Sequence, residues 1–98
     1  MNKLTTYIGL RYPAKRTAEG ILKTLGNSSE IKTIELLARG NAISRAIDVL
    51  EILKEQLSIN SSDIQTNTTE RTNQKGNIIN TSEIIITLQK KSEGVYTK

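Results

Sequence analysis

A chain of 98 residues without cysteine or histidine has no disulfide, no thiol nucleophile, no zinc-finger ligand set and no imidazole general base. Its net charge of +4 and pI near 9.5 are moderately basic, which suits a phosphate partner and equally a basic terminus that binds nothing. No apolar run approaches the ~18–20 residues that a membrane helix requires and the N-terminus lacks a signal-peptide core, so a cytoplasmic protein with no membrane partner is expected.

The length suits a single domain, with residues 1–91 expected to fold and 92–98 to form a flexible tail. Fourteen Ile and ten Leu, with no Phe or Trp and only three Tyr, indicate an aliphatic core and few rings on which bases stack. The charge is also uneven. Before Glu19 the chain carries Lys3, Arg11, Lys15 and Arg16 and no acid.

Leu4 to Gly9 reads as a first strand, with Leu4, Thr6 and Ile8 on one face. A loop with Arg11 and Tyr12 leads to Pro13, suited to the first helical position. Ala14, Ala18, Ile21, Leu22 and Leu25 form the apolar stripe of a helix that Gly26 ends. Within it Gly20 costs ~1 kcal/mol relative to Ala, which a close approach to the sheet would explain. Lys15 and Arg16 occupy the first turn, where the helix dipole disfavours cations.

After a polar connection, Ile34 to Ala38 reads as a second strand. Adjacent Leu36 and Leu37 suggest burial on both faces and a central position. Asn41, behind Gly40, reads as the N-cap of a long helix with Ile43, Ala46, Ile47, Leu50, Leu53 and Leu57 on one face. Val49 and Ile52 add to this face and, with Leu53, exceed what one sheet covers, which points to a dimer.

Arg39 and Arg45 bracket the helix start, where backbone N–H groups and the dipole already suit an anion. Two interpretations stay open: an external anion binds there, or the start is solvated and Asp48 neutralises Arg45. If Arg39 and Arg45 meet, with Arg11, Lys15 and Arg16 opposite, one cationic surface results.

Ser58 to Ser62 reads as a loop, and the alternation of Ile64, Thr66 and Thr68 as a third strand. Thr69 to Asn77 is wholly polar and ends in a Lys75-Gly76-Asn77 turn. Ile84, Ile86 and Leu88 alternate with Ile85, Thr87 and Gln89 in a fourth strand. The hairpin tip is either a solvated loop or an arm whose Arg71 and Lys75 reach a nucleic-acid groove.

The order is β-α-β-α-β-β. It specifies an α/β two-layer sandwich: a four-stranded mixed sheet, two helices on one face and an extended terminal hairpin.

Catalysis is not expected. Asp48 and Asp63 are the only aspartates, and Glu51 and Glu55 form an ordinary exposed helix pair. No phosphate-loop glycines, metal cluster or nucleophile–base pair is visible. Neither a cofactor nor a small-molecule substrate is implied.

Ala38-Arg39-Gly40, followed by Ala42-Ile43-Ser44-Arg45-Ala46-Ile47-Asp48 and Glu51-Ile52, resembles the signature of the Alba family of small archaeal chromatin proteins. The wider superfamily includes RNA-binding subunits of ribonuclease P and MRP. The likeness is densest from Ile34 to Leu57 and extends over about Tyr7 to Lys91.

The resemblance implies the same sandwich and a chromosome-associated homodimer that binds double-stranded DNA and RNA with little sequence preference. The alternative it allows is an RNA-binding subunit of a ribonucleoprotein. Arg39 and Arg45 match family positions that contact nucleic acid, and the hairpin matches arms thought to lie along the minor groove. Asn41 stands where many members carry Arg or Lys, which implies that one contact is either lost or converted to a hydrogen bond. The loop after Tyr7-Ile8-Gly9 usually offers adjacent lysines, one of them acetylated. Here Leu10-Arg11-Tyr12-Pro13-Ala14-Lys15-Arg16 replaces them, and no acetylated lysine is assigned.

Overall fold

A computed structural model describes residues 3–28 and 30–90. The elements are β1 (Lys3–Ile8), α1 (Ala14–Gly26), β2 (Thr33–Arg39), a 3-10 turn (Gly40–Ala42), α2 (Ile43–Gln56), β3 (Ile59–Thr72) and β4 (Ile78–Lys90). The expected tail, residues 92–98, lies outside the described residues.

The strands form one sheet in the order β1-β2-β4-β3. β1 pairs parallel with β2, and β4 is antiparallel to both β2 and β3. β3 therefore runs parallel to β2 with β4 inserted between them. The β1–α1–β2 and β2–α2–β3 connections are both parallel crossovers moving the same way across the sheet. Because such crossovers are right-handed, α1 and α2 lie on the same face.

Between these layers sits an aliphatic core. Ile34, Leu36 and Ala38 of β2 face Leu88, Ile86 and Ile84 of β4 in register, and all six are buried. Ala18, Ile21 and Leu25 of α1 and Ala46, Val49, Leu50 and Leu53 of α2 close over them. Each fully buried large aliphatic side chain contributes about 1.5–3 kcal/mol relative to exposure. Among the described residues no polar side chain is buried, so shape alone sets the packing.

Several local expectations are corrected. Asn41 does not cap α2: it lies inside the 3-10 turn, Ala42 holds the cap position, and no side chain bonds the free N–H groups. Gly40, at φ 53°, turns the chain before Asn41 reaches the helix. Pro13 sits at the cap of α1, one residue before the helix proper. A Cβ on Gly20 would meet nothing within 4 Å, so no close approach to the sheet accounts for that glycine.

Val49 and Leu53 are fully buried within this chain, because α2 packs against α1 as well as the sheet. Only Ile52 of the surplus remains half-covered. Ser58 to Ser62 is not a loop, since β3 begins at Ile59 and shifts register between Ile59 and Ser61.

The terminal hairpin is longer than its alternation indicates. β3 and β4 stay paired out to Thr72 and Ile78, leaving a tip of only Asn73 to Asn77. The Asn73 side-chain oxygen accepts hydrogen bonds from the N–H groups of Lys75 and Asn77, both at 2.9 Å. Gly76, at φ 84°, completes the turn. β3 lies beyond the helices and is exposed along nearly its whole length. The hairpin draws the molecule out to 59 × 22 × 22 Å.

Candidate nucleic-acid interface

Parallel β1 and β2 end on the same side of the sheet, so the loops after both strands and the starts of both helices share one end of the molecule. Arg11, Lys15 and Arg16 follow β1; Arg39, Asn41 and Arg45 follow β2. Arg39 pairs in register with Glu83, and β4 reaches that point from Ile78, five residues further out. At ~3.4 Å per residue the hairpin therefore projects ~17 Å past this edge, carrying Arg71 and Lys75 with it.

The sharpest arrangement centres on Tyr12. The guanidinium carbons of Arg16 and Arg11 lie 5.1 Å and 5.8 Å from its ring centroid, within cation–π range. Arg45 donates from Nη1 to the Tyr12 backbone carbonyl. One residue thus gathers three guanidiniums and ties the loop before α1 to the first turn of α2. Among the described residues Arg45 forms no ion pair with Asp48 and turns to the Tyr12 carbonyl instead.

The electrostatics are one-sided. Neither helix has an acid in its first turn or a side chain capping its N-terminus. Both positive dipole ends therefore face the same space as the three guanidiniums. Arg11 and Arg16 are exposed and Arg45 half-buried. Lys15 is exposed beside them in the same helical turn. Such a set suits phosphate oxygens, which accept bidentate guanidinium bonds.

Arg39 and Arg45 turn to different partners. Arg39 donates from Nε to Glu83 Oε2 at 3.1 Å, with the arginine side chain 60% exposed. Its charge is partly neutralised by this cross-strand pairing, which no local pattern announces. Asn41 is exposed in the 3-10 turn between them. On the hairpin, Arg71 and Lys75 are exposed, and the Asn73 bonds hold the backbone that presents Lys75.

Tyr12, Glu83 and Asn73 shape this edge without belonging to the candidate set. Tyr12 was detectable as an aromatic beside Arg11, whereas Glu83 requires the strand order.

The family profile that matches the chain is that of Alba, over residues 5–71. Alba from Thermoplasma volcanium is similar, with a TM-score of 0.74 and 26% identity over 88% of this chain and 99% of that one. ALBA1 from Trypanosoma brucei shares the fold, with a TM-score of 0.63 and 21% identity over 92% of this chain and 70% of that one. No curated protein sequence matches.

Proposed function

This chain belongs to the Alba family of nucleic-acid-binding proteins, and from that premise we propose that it is a low-specificity architectural binder of DNA and RNA. It holds the phosphate backbone through Arg11, Lys15, Arg16 and Arg45, with Arg39 and Asn41 alongside. The hairpin arm adds Arg71 and Lys75. The observation that carries this proposal is the convergence of three guanidiniums on Tyr12 beside two helix N-termini that lack acids and caps. Such an arrangement is self-repulsive until a polyanion arrives.

Binding, without catalysis, is the role assigned. Contacts to phosphate position a protein without reading sequence, which suits a chromosome-associated packaging role. A homodimer is part of the same proposal. β3 offers a 14-residue edge strand with Ile64 49% exposed on its helix-side face, and α2 leaves Ile52 half-covered. A second copy covering this surface would double the cationic edge.

The test is a salt titration of binding to duplex DNA, single-stranded DNA and a folded RNA. The logarithm of affinity should fall against log salt with a slope on the order of −3 to −5 per protomer on duplex DNA, at ~0.9 per phosphate contact. A slope near zero on all three would refute the proposal. Strong preference for the folded RNA would place the chain with ribonucleoprotein subunits instead.

A further inference from the structure

We propose that the sheet face opposite the helices holds a pocket for an unpaired nucleobase, with Tyr7 as its stacking platform. The inference rests on the nucleic-acid-binding reading above and adds to it a base-binding subsite separate from the phosphate-binding arginines. A groove of about 580 Å³ opens there, lined by the ends of β1 and β2, the 3-10 turn and β4. Clefts of ~300–1,000 Å³ are the size range of small-ligand sites.

Its floor is one cross-strand row: Tyr7 pairs with Leu37 and Leu37 with Ile85. Tyr7 is 78% exposed, whereas the Tyr12 ring is already engaged by two guanidiniums. The rows on either side are polar. Thr5, Glu35 and Thr87 lie along one flank, and Arg39 and Glu83 along the other.

That pattern selects the occupant. A protein partner needs about 800 Å² per side for a stable interface, far more than a strip one residue wide. A purely aliphatic ligand would cover Arg39 and Glu83 without satisfying them. A nucleobase has apolar faces for Tyr7, Leu37 and Ile85, and a polar edge for the Glu83 carboxylate, which accepts from exocyclic amines. Its phosphate meets Arg39, which engages Glu83 through Nε and leaves its terminal nitrogens without a protein partner among the described residues. The groove also includes Gly9, from which the loop bearing Arg11 and Tyr12 departs. The cluster and the groove therefore share the end of the molecule at which β1 and β2 finish, and a strand that passes over this end touches both. In a duplex the bases are stacked and paired, so they do not enter.

The chain contains no tryptophan, which makes Tyr7→Trp a unique fluorescent reporter at an exposed position. It is titrated with an unstructured single-stranded oligonucleotide and with a blunt duplex of equal length. Quenching by the single strand and none by the duplex is expected. Tyr7→Ala should weaken single-strand binding about tenfold, the scale of one lost base–aromatic stack, and leave duplex affinity unchanged. Equal quenching by both ligands, no quenching by a bound single strand, or an equal effect of Tyr7→Ala on both overturns the pocket while duplex binding stands. Failure of the unaltered protein to bind either ligand overturns both the pocket and the function on which it rests.

Discussion

Replacing Arg11, Arg16 and Arg45 together with glutamine tests the arginine cluster directly. If each guanidinium around Tyr12 meets one phosphate, the triple variant loses three contacts, and the slope of log affinity against log salt becomes shallower by ~2.7. Over a fourfold rise in salt, the unaltered protein should then lose about 40-fold more affinity than the variant. Stability should fall only slightly. Two exposed cation–π contacts contribute ~0.5–1 kcal/mol each and the Arg45 bond to the Tyr12 carbonyl about 1 kcal/mol, while removing cations from two helix starts returns ~0.3–1 kcal/mol each. The assay is fluorescence anisotropy on a labelled duplex at several salt concentrations, with a thermal melt as the folding control. Lys23, Lys32 and Lys54 changed together to glutamine remove the same net charge. Lys23 and Lys54 lie in the last turns of α1 and α2, and Lys32 lies just before β2, at the opposite end of the molecule. That variant should keep the original slope. A folded arginine variant with an unchanged slope, or a lysine variant with the same loss, would refute the reasoning.

Glu83→Gln removes the acid that holds Arg39 at 3.1 Å. An exposed pair of this kind is worth ~0–1 kcal/mol to the fold, so melting should hardly shift while the salt slope steepens by ~0.9 on duplex DNA. An unchanged slope would mean that Arg39 lies off the phosphate path. Gly20→Ala should stabilise the protein by about 0.5–1 kcal/mol, because the added methyl has open space in a helix interior. Gly40→Ala should cost ~1–2 kcal/mol, because φ 53° is left-handed; differential scanning calorimetry should show the two shifts with opposite signs. Ile64→Glu places a charge on the exposed helix-side face of β3. It should reduce the mass seen by light scattering from dimer to monomer, and an unaltered protein that already runs as a monomer would remove the proposed interface.

How far the sequence can be read depends on how each segment is buried. α1 and β2 showed plainly, because one stripe of the helix and one face of the strand meet the core and leave a 3.6- or 2-residue imprint; the expected burial of both faces of β2 fails, since Leu37 lies half-covered on the open face. β3 did not. Exposed on both faces beyond Thr66, it carries no apolar period, so its polar run looked like a loop when it is half of a paired hairpin. Asn41 has the chemistry of an N-cap, but the left-handed Gly40 starts a 3-10 turn that moves the helix one residue onward. Val49 and Leu53 looked like surplus apolar surface because periodicity along α2 does not reveal that α1 covers its flank.

The order of strands and helices, the aliphatic core and the crowding of cations at two helix entrances were determined by the sequence itself. All are local properties, set by which residues recur on one face and which charges are near neighbours along the chain. The placement of β4 between β2 and β3 was decided only by the tertiary structure. So were the pairing of Arg39 with Glu83, 44 residues away, and the turn of Arg45 toward Tyr12, 33 residues away. Such partners depend on which strands share an edge, and that is fixed when non-local surfaces compete for burial. The same arginines therefore divide into three gathered on Tyr12 and one held by Glu83.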